Sequence, residues 1–84
     1  MTTSKTILIT GANRGIGLEY VRQYAEEGNT VYATVRDTAQ AVELQALAAQ
    51  HSHIQVLALD VADITAIQAL ARQLSDVPID ILIS

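Results

Sequence analysis

Short apolar runs and amphipathic stretches alternate along the first part of the chain. Residues 6–10 read Thr-Ile-Leu-Ile-Thr and are followed by a glycine, a pattern typical of a strand buried on both faces. From Gly15 the apolar positions recur at helical spacing as far as Gly28, a residue type that often follows the end of a helix. Residues 30–35 are rich in β-branched side chains and predict a second strand.

The same alternation continues in the second half of the chain. Either Asp37 or Thr38 can cap a second helix. Its apolar positions are Val42, Leu44, Leu47 and Ala48. Residues 54–59 predict a third strand, and Asp63 is placed to cap a third helix. The positions of that helix expected to face inward are Ile64, Ile67, Leu70, Ala71 and Leu74.

A fourth strand completes the pattern, since Pro78 ends the third helix and residues 79–83 are apolar except for Asp80. Strands that alternate with helices of about ten to fifteen residues indicate βαβ units. We therefore predict one α/β domain over residues 1–84, a Rossmann-type doubly wound parallel sheet with helices on both faces. Its four strands are expected in the order 3-2-1-4. A complete sheet of this type continues beyond the fourth strand, so we expect a truncated, N-terminal part of a longer domain.

Composition and charge exclude several classes of function. Half of the residues are apolar and only three are aromatic, so a core of Ile, Leu, Val and Ala is expected. The net charge of −4 and the scattered basic residues argue against nucleic-acid binding. The absence of cysteine excludes disulfides, thiolate catalysis and zinc–thiolate sites. No apolar run approaches the roughly 20 residues of a membrane span, and a soluble, cytoplasmic protein is expected.

The most informative segment is the glycine-rich loop between the first strand and the first helix, TGANRGIG over residues 10–17. A dinucleotide carries an anionic pyrophosphate, and a helix start offers unpaired N–H groups and the positive end of the helix dipole. Glycines keep side chains from holding the phosphates away from those donors. A glycine-rich turn without a ligand is the alternative interpretation. The preceding strand and the following helix favour dinucleotide binding.

With its G-x-x-x-G-x-G spacing, this loop resembles the cofactor loop of the short-chain dehydrogenases/reductases. The segment Leu59-Asp60-Val61 is similar to the family's segment with an Asp that contacts adenine. Residues 80–84 resemble the strand leading into the family's Asn-Asn-Ala-Gly motif, with Ser84 at its first position. The resemblance covers the whole chain and corresponds to the N-terminal part of a typical member. The cofactor-binding residues that loop chemistry and resemblance together predict are Gly11, Asn13, Arg14, Gly15, Ile16, Gly17, Arg36, Asp60 and Val61.

The end of the second strand predicts which nicotinamide cofactor is used. An acidic residue there would accept a hydrogen bond from the ribose hydroxyl of NAD, but the matching position holds Val35. Arg36 follows, and its planar, always charged guanidinium suits the 2′-phosphate of NADP, as does that of Arg14 in the loop. We therefore predict NADP rather than NAD. Two alternatives stay open. Arg36 is a solvated charge at the strand end and Arg14 pairs with Asp37, or Asp37, which lies close to the spacing expected for a ribose-binding acid, is the ribose acceptor.

No catalytic or metal-binding residue is expected within the chain. His51 and His53 lack a nearby acid or cysteine that would complete a metal site. No tyrosine is followed four residues later by lysine, the pair that the resemblance implies for catalysis. The family's catalytic Ser, Tyr and Lys would all lie beyond Ser84.

The resemblance implies that the parent protein is an NADP-dependent oxidoreductase. It would transfer hydride to or from a small carbonyl or alcohol substrate, and a homo-oligomer is expected. One alternative is a non-catalytic dinucleotide-binding or sensor module, and another is a degenerate fragment that retains the fold and binds little. The residues encoded after Ser84 would discriminate between these possibilities.

Overall fold

The fold alternates strands and helices throughout residues 4–83, the part of the chain that the structure, a computed structural model, describes. Its elements in chain order are β1 (Thr6–Ile9), α1 (Gly15–Glu26), β2 (Thr30–Val35), a 3₁₀ turn (Thr38–Gln40), α2 (Val42–Gln50), β3 (Ile54–Ala58), α3 (Ile64–Gln73) and β4 (Ile81–Ile83). No helix in this range is both long and apolar enough to cross a bilayer.

The four strands form one parallel sheet in the order β3-β2-β1-β4, as the sequence predicts. Ile7 lies opposite Val31 in β2 and opposite Ile81 in β4, and Val31 lies opposite Ile54 in β3. The chain passes from β1 outward to β2 and β3 and then returns to the other side of β1. The carboxyl ends of the strands meet at one edge, and the direction of winding reverses beside β1, where ligands bind in sheets of this kind.

One face of the sheet is covered by α1 and α2 and forms the core. Ile7, Ile9, Val21, Val31 and Leu44 have no exposed surface there. Aliphatic side chains alternate along each strand, so that β1, β2 and β3 present one set of residues to these two helices. The core is therefore aliphatic, as the composition predicts.

The start of α2 differs from the sequence-based prediction. Asp37 caps the 3₁₀ turn, and Ala41 is the N-cap residue of α2 without a side-chain capping bond. Ala41 is buried in the core, whereas Val42, predicted to lie on the apolar stripe, is 71% exposed. The 3₁₀ turn thus precedes Ala41, which lies in the core immediately before the helix begins.

The opposite face of the sheet carries α3, which stands away from the strands. Asp63 caps α3 by accepting a hydrogen bond from Ala66 N at 3.2 Å, as predicted. The prediction that Ile64 faces inward is wrong, since it is 70% exposed. The side chains between α3 and the sheet line a cavity of about 480 Å³. They include Ile67, Leu70 and Ala71 from α3, Leu74 just after it, and Leu8 and Leu82 from the sheet.

The short β4 begins two residues later than predicted, at Ile81 rather than residue 79. Asp80 precedes it and contacts the start of β1 twice. Its carboxylate accepts a hydrogen bond from Thr6 N at 2.8 Å, and its own N–H donates to the Thr6 carbonyl at 2.9 Å. Asp80 thus aligns β4 with β1 before the strand starts.

Candidate cofactor site

The loops that follow β1, β2 and β3 surround a cavity of about 650 Å³ at the carboxyl edge of the sheet. It is lined by Gly11, Asn13, Arg14, Arg36, Asp37, Gln40, Leu59, Asp60, Val61 and Ala62. A second cavity, of about 410 Å³, is lined by Thr10, Gly11, Ile16, Gly17, Tyr20, Val61 and Ile83. Gly11 and Val61 belong to both cavities. Eight of the nine residues predicted to bind a cofactor therefore line one or both, and Gly15 lines neither.

Glycines shape the backbone of the loop in two ways. Gly11 and Gly15 have φ angles of 59° and 61°, in the left-handed region that L side chains rarely adopt. Gly17 has an ordinary φ angle, but a Cβ atom on it would lie 2.5 Å from the carbonyl oxygen of Gly11. The first turn of α1 therefore approaches the loop more closely than any side chain permits.

The start of α1 leaves backbone donors available to an anion. Arg14 is the N-cap residue with an extended backbone, and its side chain makes no capping hydrogen bond. The first N–H groups of a helix have no partner within the helix. A phosphate group placed there would also lie at the positive end of the helix dipole. A site with close-approaching backbone and free donors fits a dinucleotide pyrophosphate.

Thr34 supports the loop from beneath, a role that sequence reasoning missed. Its side chain is 1% exposed, and its hydroxyl donates to the Ile9 carbonyl at 3.3 Å. Its own carbonyl accepts a hydrogen bond from Ala12 N at 3.1 Å, which ties the loop to β2. A polar residue near the end of an otherwise apolar strand was the available signal.

Two arginines line the larger cavity without an ion-pair partner among the described residues. Within residues 4–83 the ion pairs involve only Arg22, with Glu19 and Glu26 on the outer surface of α1. Arg14 and Arg36 are therefore unpaired in this range, and the alternative pairing of Arg14 with Asp37 is absent. The lining of the cavity thus contains two arginines and two acidic residues, Asp37 and Asp60, and neither arginine forms an ion pair within residues 4–83.

Asp60 shapes the turn after β3 as well as lining the cavity. It is half-buried, and its carboxylate accepts a hydrogen bond from Ala62 N at 3.0 Å. Its carbonyl accepts another from Asp63 N at 2.9 Å, just before α3. Val61 lies on this turn and is 61% exposed, so its apolar side chain is accessible from both cavities. The turn offers a carboxylate and an apolar surface side by side, which suits a purine ring.

The other candidate residues take structural positions. His53 Nε2 lies 2.8 Å from the Ala25 carbonyl, and the His51 ring contacts the His53 ring edge-on with centroids 5.5 Å apart. Within residues 4–83 no three His, Asp or Glu side chains are grouped to hold a metal ion. Tyr20 stacks on Tyr24 with ring centroids 6.2 Å apart. Besides packing in this way, Tyr20 lines the smaller cavity, and Ser84 lies outside the described residues.

Comparison with known proteins identifies relatives of the chain. The family model for short chain dehydrogenases matches residues 5–84. An uncharacterized oxidoreductase of Schizosaccharomyces pombe is 35% identical over 75 residues, which are 88% of this chain and 30% of that protein. Retinol dehydrogenase 12 of Bos taurus is 41% identical over 72 residues, which are 81% of this chain and 22% of that protein.

A solved structure shares the fold. A carbonyl reductase from Pseudomonas aeruginosa, in complex with NADP, superimposes with a TM-score of 0.87 and 29% sequence identity. The match covers 93% of this chain and 34% of that one. The chain thus spans about a third or less of the length of these relatives.

Proposed function

Because this chain belongs to the short-chain dehydrogenase family, we propose that it is the NADP-binding portion of an oxidoreductase acting on a small carbonyl or alcohol. The bound nicotinamide would supply or accept the hydride. The residues of this chain would bind and orient that cofactor. Family membership and the NADP complex of the Pseudomonas aeruginosa carbonyl reductase support the proposal.

Three parts of the cofactor have candidate partners in the site. The backbone of the glycine-rich loop and the start of α1 would bind the pyrophosphate. Arg14 and Arg36 would bind the 2′-phosphate, and Asp60 with Val61 would contact the adenine. The choice of NADP over NAD rests on a single observation, that Arg14 and Arg36, which form no ion pair within residues 4–83, both line the larger cavity, with Arg36 directly after β2.

Replacement of Arg36 by alanine tests this choice in the whole protein. Hydrogen bonds to charged groups contribute roughly 1.5–3 kcal/mol, or about ten- to a hundred-and-fifty-fold in affinity. We expect Arg36→Ala to lower the affinity for NADPH by about this factor and to leave the affinity for NADH nearly unchanged. Nicotinamide fluorescence titration measures both dissociation constants.

A matched control is Arg72→Ala, which removes the same charge from the exposed surface of α3, outside the lining of the larger cavity. This control should leave both dissociation constants unchanged. Equal weakening of NADPH and NADH by Arg36→Ala would show that Arg36 does not bind the 2′-phosphate.

Turnover distinguishes an enzyme from a dinucleotide-binding sensor. We expect the whole protein to oxidise NADPH in the presence of simple carbonyl compounds, as followed by the loss of nicotinamide absorbance. Retained NADPH binding without turnover across a panel of aldehydes and ketones would favour the sensor instead. Neither outcome depends on the result for Arg36→Ala.

A further inference from the structure

Asp37 directly follows Arg36 at the wall of the larger cavity, and it has two possible roles there. Its carboxylate could accept a hydrogen bond from a ribose hydroxyl, which would favour NAD. In the structure, one carboxylate oxygen instead accepts a hydrogen bond from Ala39 N at 3.0 Å. The carbonyl of Asp37 also accepts a hydrogen bond from Gln40 N at 3.3 Å. Asp37 thus closes the 3₁₀ turn of residues 38–40.

The far end of this turn is anchored as well. The Thr38 carbonyl accepts hydrogen bonds from Ala41 N at 3.3 Å and from the side chain of Gln45 at 3.2 Å. Ala41 is 2% exposed and belongs to the core, and Gln45 lies on α2. The turn is therefore held between the Asp37 cap and the core contact of Ala41.

The backbone on both sides of Arg36 is held in place as a result. Val35 ends β2 and is 2% exposed, and its carbonyl accepts a hydrogen bond from Leu59 N at 2.8 Å. Asp37 holds the other side through its cap. The long side chain of Arg36 is exposed and forms no ion pair within the described residues. The backbone of Arg36 is therefore held in place, whereas its charged group is available to an anion. A fixed backbone reduces the ordering cost of binding an anion.

We propose that Asp37 is a positioning residue that presents Arg36 to the 2′-phosphate by capping the 38–40 turn, and that it is not the ribose acceptor. This inference rests on the proposed NADP-binding function. It makes a distinctive prediction, because capping depends on the side-chain oxygen of Asp37 and not on its charge. An uncharged capping residue at position 37 should therefore retain the affinity for NADPH, whereas alanine at that position should lower it.

Three variants of the whole protein separate the two roles. Asn and Ser cap helix starts about as well as Asp, and alanine does not. We expect Asp37→Ala to weaken NADPH roughly three- to tenfold, in line with the usual effect of losing a cap, and to change NADH by less than about twofold. Asp37→Asn and Asp37→Ser should keep NADPH affinity at or above that of the unmodified protein. Fluorescence titration with NADPH and NADH measures these values.

Asp63→Ala is the matched control, since it removes the same kind of cap from α3 outside the lining of the larger cavity. It should lower thermal stability without changing the ratio of the two affinities. The inference is overturned if Asp37→Asn strongly lowers the affinity for NADH and raises that for NADPH, because Asp37 is then the ribose acceptor. It is also overturned if Asp37→Ala changes the affinities for NADPH and NADH equally, or changes neither affinity.

Failure of the proposed function has a different result. The unmodified protein would then bind NADH more tightly than NADPH, or Arg36→Ala would weaken both equally. If Asp37→Ala does not fold, the comparison between the unmodified protein and Asp37→Asn still decides whether the charge of Asp37 is required for NADH. Thermal unfolding of each variant identifies such a case.

Discussion

At the scale of single residues, the glycine-rich loop shows how the absence of a Cβ atom shapes the candidate site. Gly17 is required by space, because a Cβ atom there would overlap the backbone of Gly11. Gly28 is required by conformation, since its φ is 87° and nothing lies within 4 Å of an added Cβ. The same residue type thus serves a crowded contact in the loop and an open left-handed turn after α1.

This contrast predicts different effects for two alanine substitutions. Gly17→Ala forces the start of α1 away from the loop, and overpacking of this kind costs about 1–3 kcal/mol. It should also weaken NADPH binding at least about tenfold, since the pyrophosphate donors move. Gly28→Ala should cost about 1–2 kcal/mol through backbone strain and leave NADPH affinity unchanged. Denaturation and cofactor titration of both variants test the prediction, which is wrong if Gly17→Ala binds NADPH normally.

At the scale of elements, α1 is supported by a charge cluster on its outer face. Arg22 bonds to Glu19 one turn before it and to Glu26 at 3.1 Å one turn after it. The hydrogen bond from Arg22 lowers the pKa of Glu19 from its ordinary value of 4.5, and a hydrogen bond from Gln23 adds to the effect. The cluster also raises the pKa of Arg22. These bonds favour the charged forms of both groups in the folded helix.

The lowered pKa of Glu19 predicts a pH dependence of stability. A carboxyl group whose pKa is lower in the folded state stabilises the protein above its unfolded pKa, and this contribution is lost as the pH falls through the folded pKa. We expect Glu19→Gln to destabilise the protein at neutral pH and to have little effect well below pH 4.5. Salt should reduce the difference, since the pair is exposed.

Urea denaturation at neutral and acidic pH measures this effect. Glu27→Gln is the control, because it removes the same charge outside the Arg22 cluster. A Glu19→Gln penalty that persists unchanged at acidic pH would show that ionisation of Glu19 is not its source.

At the scale of the whole molecule, the two faces of the sheet differ in how well they are covered. The α1–α2 face is packed, whereas α3 and the sheet border an apolar cavity of about 480 Å³ that is open to solvent. Leu82 in β4 borders this cavity and is 63% exposed. β4 also lies at the outside of the sheet of residues 4–83, paired there with β1 alone. An apolar outer strand of this kind favours association with another chain.

We therefore predict that the isolated 84-residue chain self-associates or unfolds without a sharp transition, and that it has no reductase activity. Leu82→Lys should reduce self-association, because a charge on the open face opposes pairing. Val42→Lys is the control, since Val42 is 71% exposed on α2, away from this face. Analytical ultracentrifugation, denaturation and NADPH oxidation test the three parts. A monomeric chain with a cooperative transition and turnover would contradict the prediction.

Sequence alone determined the fold class, the order of the strands and the segments that form the candidate site. These features follow from local patterns, since hydrophobic period selects strand or helix and βαβ handedness restricts the topology. The cap at Asp63 was equally local and is present in the structure. The positive φ angles of Gly11 and Gly15 agree with the need for glycine in the loop.

Only the tertiary structure decided how distant residues combine. Arg14 and Arg36 share a cavity because β1 and β2 are neighbours in the sheet, and Thr34 supports the loop through the same pairing. Asp37 caps a 3₁₀ turn instead of α2, whose N-cap residue Ala41 is buried in the core, and Ile64 is exposed although it lies on an apolar stripe. A local pattern specifies which backbone a segment adopts. Which side chains become buried or paired depends on the elements that pack against it, and these are distant in sequence.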